Sequence, residues 1–291
     1  MRLKLFFNPA AGRGRGERLI DRAVRYLERH GAAVVLARST SPSDLSALAG
    51  SSENESFDRL VVCGGDGSVN LALRNLDLAG STLAVIPLGS GDDLAGALGI
   101  PQSIERACDV ILSGTTREID VAEVNGVRFL GVAGVGFDSL VARWVNEHST
   151  WLRGSLLYLY AIFRVLPEFR PLRIGLTVDG VRREETIMFA VFGNSHRYGG
   201  GIAIAPGALL DDGELNAFII GRCSRWDLLT TLPLAYSGAH VKRRFVTALR
   251  ASEFQIESED GLDVYADGEL LARTPATIRI SGEKLRICVP S

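Results

Sequence analysis

A chain of 291 residues is long enough for two buried cores on the usual scale of ~150 residues per domain. Its 32 basic residues against 34 acidic ones leave a net charge of −2, so the whole-molecule field favours neither nucleic acid nor a strongly anionic partner. The cysteines Cys63, Cys108, Cys223 and Cys288 lie far apart, with no C-x-x-C spacing, which argues against zinc and against a disulfide framework and fits a reduced, cytoplasmic protein. No targeting signal is expected, because Met1-Arg2-Leu3-Lys4 leads straight into a strand-like run. The most apolar segment, Leu156 to Phe163 between Arg153 and Arg164, falls short of the ~20 residues that span a bilayer.

Leu3 to Phe7 reads as a buried strand, followed by a flexible loop from Asn8-Pro9 to Gly14. Glu17 to Arg29 places Leu19, Ile20, Ala23, Val24 and Leu27 at the spacing of a core-facing helix, which Gly31 ends. Val34 to Ala37 is a second strand, Ser43 to Ala49 a short helix, and Leu60 to Cys63 a third strand. That strand stops at Gly64-Gly65-Asp66-Gly67, and Ser68 opens a segment with helical spacing. A fourth strand, Leu83 to Ile86, runs into Pro87-Leu88-Gly89-Ser90-Gly91-Asp92-Asp93, and Leu94 to Leu98 is helical. Alternating strands and helices predict right-handed crossovers and a parallel sheet, with ligand at the carboxyl ends of its strands.

From about Glu118 short strands with turn signals take over. Asp120 to Val124, Asn125-Gly126 and Val127 to Val132 predict a two-residue hairpin, and Arg173 to Val178 followed by Asp179-Gly180 repeats the device. Further strands are expected at Ile187 to Phe192, Glu214 to Ile220, Ala251 to Glu257, Leu262 to Ala266 and Thr277 to Ile280. Helical insertions interrupt them at about Ser139 to Leu166 and Arg225 to His240. The division is therefore an α/β domain over 1–120 and a β-rich domain over 121–291. The segment Lys284 to Pro290 fits a hairpin in the second domain or a return to the first.

In the turn after the third strand, Gly64, Gly65 and Gly67 remove side chains that would keep a ligand off the backbone, and a helix N-terminus favours an anion such as phosphate. Ser68 suits a helix cap that also donates to a phosphate oxygen. A carboxylate beside a phosphate site needs a reason, and Asp66 finds one in orienting Mg²⁺ or accepting a proton.

Asn8-Pro9, Gly64-Gly65-Asp66-Gly67-Ser68, Gly89-Ser90-Gly91-Asp92-Asp93, Gly199-Gly200-Gly201 and Asp211-Asp212-Gly213 follow the order and rough spacing of the diacylglycerol kinase catalytic-domain family. From Asn8 to about Glu269 the chain resembles a soluble bacterial lipid kinase of that family, which includes sphingosine and ceramide kinases. The resemblance implies a three-layer α/β nucleotide-binding domain of the NAD kinase and phosphofructokinase kind. It implies an antiparallel β-sandwich with helical insertions as the second domain, and ATP with Mg²⁺ in the cleft between the two. ATP would lie along Gly64, Gly65, Asp66, Gly67, Ser68, Val69, Asn70 and Leu71, with Asn8, Thr40, Gly89, Ser90 and Asp93 contributing. Thr40 fits a helix cap equally well, and Asp93 also fits an acid that stabilises a helix dipole.

The family match further implies a Mg²⁺ or Ca²⁺ ion on the carboxylate of Asp212 and main-chain oxygens of Leu209 and Glu214, where pattern alone reads an acidic turn. Glu269 after Asp267-Gly268 matches the general base that takes the lipid hydroxyl proton, with Asp66 in electrostatic positioning. Two departures stand out: Asp92 where the family usually has asparagine, and Gly131 where another asparagine is expected. Trp151, Leu152, Leu156, Leu157, Leu159, Tyr160, Ile162 and Phe163, with Arg153 and Arg164, suit a bilayer surface, an acyl-chain cleft or packing on the β domain.

The expected activity is transfer of the γ-phosphoryl group of ATP to the hydroxyl of diacylglycerol or a related lipid. The expected partners are that lipid, a transient contact with the inner membrane face and a second copy of the chain, with no nucleic acid. The alternatives are an NAD kinase-like phosphotransferase and a non-catalytic lipid- or nucleotide-binding protein.

Overall fold

Strands with unbroken apolar runs must be covered on both faces, and the first part of the chain is built on this constraint. The computed structural model describes residues 1–8, 16–148, 155–167 and 169–291. The expected loop Pro9 to Gly14, and Trp151, Leu152 and Arg153 of the expected insertion, lie outside the described residues. The chain divides into a unit of Met1–Asp120 with Glu283–Ser291 and a unit of Val121–Gly282.

In the first unit, β1 (Arg2–Phe7), α1 (Gly16–Arg29), β2 (Ala33–Arg38), α2 (Pro42–Ala49), β3 (Arg59–Gly64), α3 (Asp66–Leu73), β4 (Thr82–Pro87), α4 (Asp93–Ala97) and α5 (Ile104–Ser113) lead into β5 (Thr115–Val124). The sheet order is β2-β1-β3-β4, and every pairing is parallel. Alternation along each strand separates its two faces. Leu3, Leu5 and Phe7 join Ile20, Ala23 and Leu27 of α1 and Cys108 and Ile111 of α5 in one core. Lys4 turns the other way, and its Nζ donates to Asn54 Oδ1 at 2.9 Å, while α2 and α3 pack together on that side. The result is three layers. The order of winding reverses between β1 and β3, with β2 added on one side of β1 and β3 on the other, so their carboxyl ends flank the switch point where such sheets hold ligands.

The second unit contains β6 (Val127–Phe129), β7 (Val132–Gly136), α6 (Phe137–Glu147), α7 (Ser155–Val165), β8 (Leu172–Val178), β9 (Val181–Gly193), β10 (Leu215–Gly221) and α8 (Arg225–Ala235). It continues with β11 (Val246–Ala251), β12 (Glu253–Glu257), β13 (Asp263–Ala266), β14 (Glu269–Arg273) and the start of β15 (Ala276–Val289). The strand β9 pairs with β8 along its first half and with β7 and β10 along its second, always antiparallel. It thereby belongs to both sheets of a β-sandwich. Ala190, Phe192, Ala217 and Ile219 face the sandwich interior with Phe254 and Ile256. Their neighbours Val191, Phe218 and Ile220 face a second core with Val141 of α6 and Ala161 of α7. This double burial explains why β10 is apolar at nearly every position.

Two expected strands change, one helix is added, and the path of the C-terminal segment is resolved in favour of a return to the first unit. The predicted strand Ala251 to Glu257 is the junction of β11 and β12, broken at Ser252. The predicted strand Val127 to Val132 is only β6, because Leu130 and Gly131 leave the ladder and donate their N–H groups to Asp267. Helix α5, which the sequence reading missed, fills one face of the parallel sheet. The C-terminal strand returns to the first unit, where Arg286 and Ile287 pair parallel with Thr82 and Leu83 of β4. Among the described residues no helix is long and apolar enough to cross a membrane.

Candidate active site

The loops that follow β3 and β4 meet backbone to backbone. A Cβ on Gly89 would lie 2.7 Å from the Gly65 Cα, and one on Gly65 would lie 3.0 Å from the Gly89 Cα. A Cβ on Gly64 would strike Ser68 Oγ at 2.4 Å. Internal packing therefore accounts for Gly64, Gly65 and Gly89. It does not account for Gly67, which is exposed and has nothing within 4 Å of its would-be Cβ. The expected cap at Ser68 is corrected: Ser68 lies inside α3, and the cap position is Gly65, which provides no side-chain bond to the helix.

Asp66 bridges the two loops. Its Oδ2 accepts the Asp93 N–H and its Oδ1 the Leu94 N–H, both at 3.0 Å, so it serves the first turn of α4 as a cap from another segment. The α4 cap residue itself, Asp92, takes a left-handed conformation at φ 51°, ψ 45°, which asparagine and aspartate tolerate better than other side chains. Asp92 is buried, and its Oδ1 accepts the Gly89 N–H at 2.9 Å. Burial pushes its carboxyl up to about 6, the Gly89 N–H opposes this, and the neighbouring charge of Asp66 adds to it.

The other expected nucleotide residues divide by exposure. Ser90 and Gly89 are exposed, whereas the side chains of Val69 and Asn70 are buried in α3. Leu71, Asp93 and Asn8 are half-buried, with Asn8 directly after β1 at the switch point. Thr40 donates both its N–H and its hydroxyl to Asp44 Oδ2 at 2.7 and 3.0 Å, just before Ser41 caps α2.

In the second unit, Asp267-Gly268 forms the β13–β14 hairpin turn, with φ 48° and 85°. The Asp267 carboxylate also accepts three successive backbone N–H groups, from Leu130, Gly131 and Val132, at 3.2, 3.0 and 2.8 Å. A Cβ on Gly131 would lie 2.1 Å from Asp267 Oδ1. The missing asparagine at Gly131 now has a reason: the carboxylate occupies the space a side chain would need. Glu269, half-buried, opens β14 opposite Ala266.

At the acidic turn, Asp212 Oδ1 accepts the Glu214 N–H at 3.2 Å, and Arg250 Nη2 lies 2.7 Å from both Asp212 Oδ2 and Glu214 Oε2. Both carboxylate oxygens thus have partners, and a guanidinium supplies the positive charge expected of an ion. Leu209 is exposed. No group of three or more His, Cys, Asp or Glu side chains suited to a metal occurs among the described residues.

The second unit also holds an apolar cavity that opens to solvent on one side. Its walls include Phe137 and Val141 of α6, Ile162 of α7, and Leu228, Leu229 and Leu232 of α8. Tyr198 and Ile202 line it too, and their mutual backbone bonds close the Gly199-Gly200-Gly201 turn, whose φ values are all positive. The expected glycine block is therefore part of this wall. Asp138 is a residue that the sequence reading did not single out. Its carboxyl lies on the cavity, accepts the Tyr198 hydroxyl at 2.5 Å, and is pushed up to about 6 by burial against the lowering effect of that bond. Its strand-to-helix position after Gly134-Val135-Gly136 was the available signal.

The diacylglycerol kinase catalytic domain model matches residues 2–124, and the YegS C-terminal NAD kinase beta sandwich-like domain model matches residues 131–289. The chain is 33% identical over 290 residues to a diacylglycerol kinase of Mycobacterium tuberculosis, covering 97% of this chain and 93% of that one. It is 27% identical over 271 residues to a diacylglycerol kinase of Bacillus subtilis, covering 92% and 89%. The crystal structure of a diacylglycerol kinase from Bacillus anthracis superimposes with a TM-score of 0.75 at 22% identity, over 99% of this chain and 96% of that one. That likeness bears out the fold, an α/β domain followed by a β-sandwich.

Two stability experiments test these packing assignments. Below about pH 4 the Asp92 carboxyl is protonated in folded and unfolded chains alike, and above about pH 6 it is ionised in both, with the folded state bearing the cost of the buried charge. Asp92→Asn should therefore stabilise the protein above pH 6 by on the order of 1–3 kcal/mol, a gain that fades toward pH 4, as urea unfolding across pH will measure. Gly131→Asn should cost about 2 kcal/mol or more at neutral pH, because it displaces Asp267 from its three N–H groups; unchanged unfolding would remove the steric account of that glycine.

Proposed function

Since this chain belongs to the diacylglycerol kinase family, we propose that it is a lipid kinase that moves the γ-phosphoryl group of ATP to the free hydroxyl of a diacylglycerol-like lipid. The coarser statement, that it is a phosphotransferase with an alcohol acceptor, follows from the family itself. The observation that carries the lipid acceptor is the apolar cavity of the second unit, whose walls are almost entirely hydrocarbon and aromatic.

For the nucleotide, the reading assigns the phosphates to the loop from Gly64 to Ser68 together with Gly89 and Ser90. It draws support from Gly67, the glycine of that turn whose missing side chain serves no internal contact. Asp66 holds the loops in register through α4. Mg²⁺ accompanying ATP would neutralise phosphate charge, and Asp66 is the acid of the turn through which it would be oriented. At Asp212, with the main-chain oxygens of Leu209 and Glu214, a Mg²⁺ or Ca²⁺ ion would bind by displacing Arg250 from the carboxylate.

Glu269 is proposed as the base that accepts the proton of the lipid hydroxyl, held at the start of β14 by the turn that Asp267 anchors. Asp138 and Tyr198 offer a polar contact for the lipid headgroup beside the acyl site. Helices α7 and α8, which wall the cavity, also expose Leu159, Tyr160, Phe163 and Trp226, a surface suited to transient contact with a bilayer during loading.

Two measurements test this reading. Gly67→Ala should raise thermal stability slightly, by about 0.5–1 kcal/mol, because alanine is the better helix former, while raising KM for ATP at least severalfold; unchanged ATP kinetics would remove the turn from the nucleotide site. Incubation with ATP, Mg²⁺ and a total lipid extract, followed by mass spectrometry, should yield a new phosphorylated lipid. Glu269→Gln should lower kcat by about 100-fold or more, the usual weight of a general base. Product formation by Glu269→Gln at the wild-type rate would dismiss it as the base, and label passing to NADP instead of lipid would reverse the choice of acceptor.

A further inference from the structure

The cavity that is read above as the acyl-chain site is apolar on nearly all sides, with two buried exceptions that its occupant must answer. His240, 3% exposed, and Thr231, 8% exposed, both line it. Neither His240 Nδ1 nor Thr231 Oγ1 has a hydrogen-bond partner among the described residues. By contrast, Asp138 on the same wall is met by the Tyr198 hydroxyl.

The chemistry of the missing partner follows from the surroundings of the ring. His240 Nε2 lies 3.1 Å from the carbonyl oxygen of Ile204, and a carbonyl only accepts, so Nε2 carries the proton. Desolvation disfavours the charged imidazolium. Nδ1 of the neutral ring is therefore a bare acceptor that asks for a donor. The Phe218 ring lies against the imidazole, with centroids 6.1 Å apart, on a sheet face that is otherwise sealed by hydrocarbon. Thr231 brings a hydroxyl from α8, able to donate or accept. A plain hydrocarbon chain filling this space leaves both groups desolvated and unpaired, the costly outcome for buried polar atoms.

We propose that this cavity selects lipids whose hydrocarbon chain carries a hydroxyl group, with His240 as the acceptor that reads the hydroxyl and Thr231 as a second polar contact. The proposal rests on the reading of the cavity as the acyl-chain site, and it adds a substrate preference that an apolar pocket alone would lack. The preference acts at the chain and not at the phosphorylated hydroxyl, so it is separable from catalysis.

The test is binding of free fatty acids to the full chain, which needs neither ATP nor turnover. A saturated sixteen-carbon acid and a series of its monohydroxylated isomers are titrated calorimetrically below their micellar concentrations, and the His240 ring resonances are followed by NMR. At least one isomer should bind about fivefold to tenfold more tightly than the plain acid, the range of one added hydrogen bond, and should shift the His240 signals. His240→Phe and, independently, the near-isosteric Thr231→Val should each shrink that preference. Equal binding of the plain acid and every isomer by the wild-type protein overturns the proposal while leaving the acyl-site reading intact. Binding of no fatty acid at all overturns the acyl-site reading, and the proposal with it.

Discussion

Two backbones in van der Waals contact at Gly65 and Gly89 set the geometry on which the glycine loops of the first unit depend. Strands β3 and β4 are neighbours in a parallel sheet, so their carboxyl-end loops leave side by side and need a device to keep them in one arrangement. Removal of both Cβ atoms lets the chains touch, and the Asp66 carboxylate then holds the first turn of α4 through two N–H groups. A carboxylate on backbone donors is a charge-assisted contact, stronger than a neutral one. The acid of the first glycine loop is thereby accounted for by the fold: it binds the second glycine loop to the first.

The second unit solves a different problem with the same economy. A β-sandwich buries one face of each sheet, which leaves the outer face of β7, β9 and β10 in need of cover. Here the cover comes from the helical insertions α6, α7 and α8, and their packing against Val191, Phe218 and Ile220 is incomplete around a cavity. A void in hydrocarbon costs stability unless something fills it, so the cavity is the place where this unit gives up packing. The glycine turn closed by Tyr198 and Ile202 contributes to the wall at the point where the sheet gives way to loop.

Much of this was legible in the residues, and the unevenness has physical causes. Strands buried on both faces announce themselves by unbroken apolar runs, and hairpins by Asn125-Gly126 and Asp179-Gly180, which do adopt paired positive φ angles. Helix α5 carries Ile104, Ala107, Cys108 and Ile111 on one side, but it is shorter than α1 and its apolar stripe is weaker, so its periodicity stands out less from the sequence. Other features have no local signal at all. The three N–H groups that Asp267 gathers lie some 135 residues earlier in the chain, and the cavity is assembled from segments between Phe137 and Val246. Nothing in a sequence window can register either.

The two departures from the family pattern illustrate how a residue's meaning depends on what lies against it. Asp92 keeps the left-handed conformation and the Gly89 contact that an asparagine would provide, so the replacement alters charge while preserving shape. Gly131 yields its side chain to a carboxylate that binds the same backbone, so the replacement alters shape and keeps a polar group in place. Read as motif letters, both look like losses that weaken the case for an enzyme. Read as packing, each retains the hydrogen bonds of its loop, and what packing leaves over lies elsewhere: Gly67 facing open space in one unit, and Thr231 and His240 facing the cavity in the other.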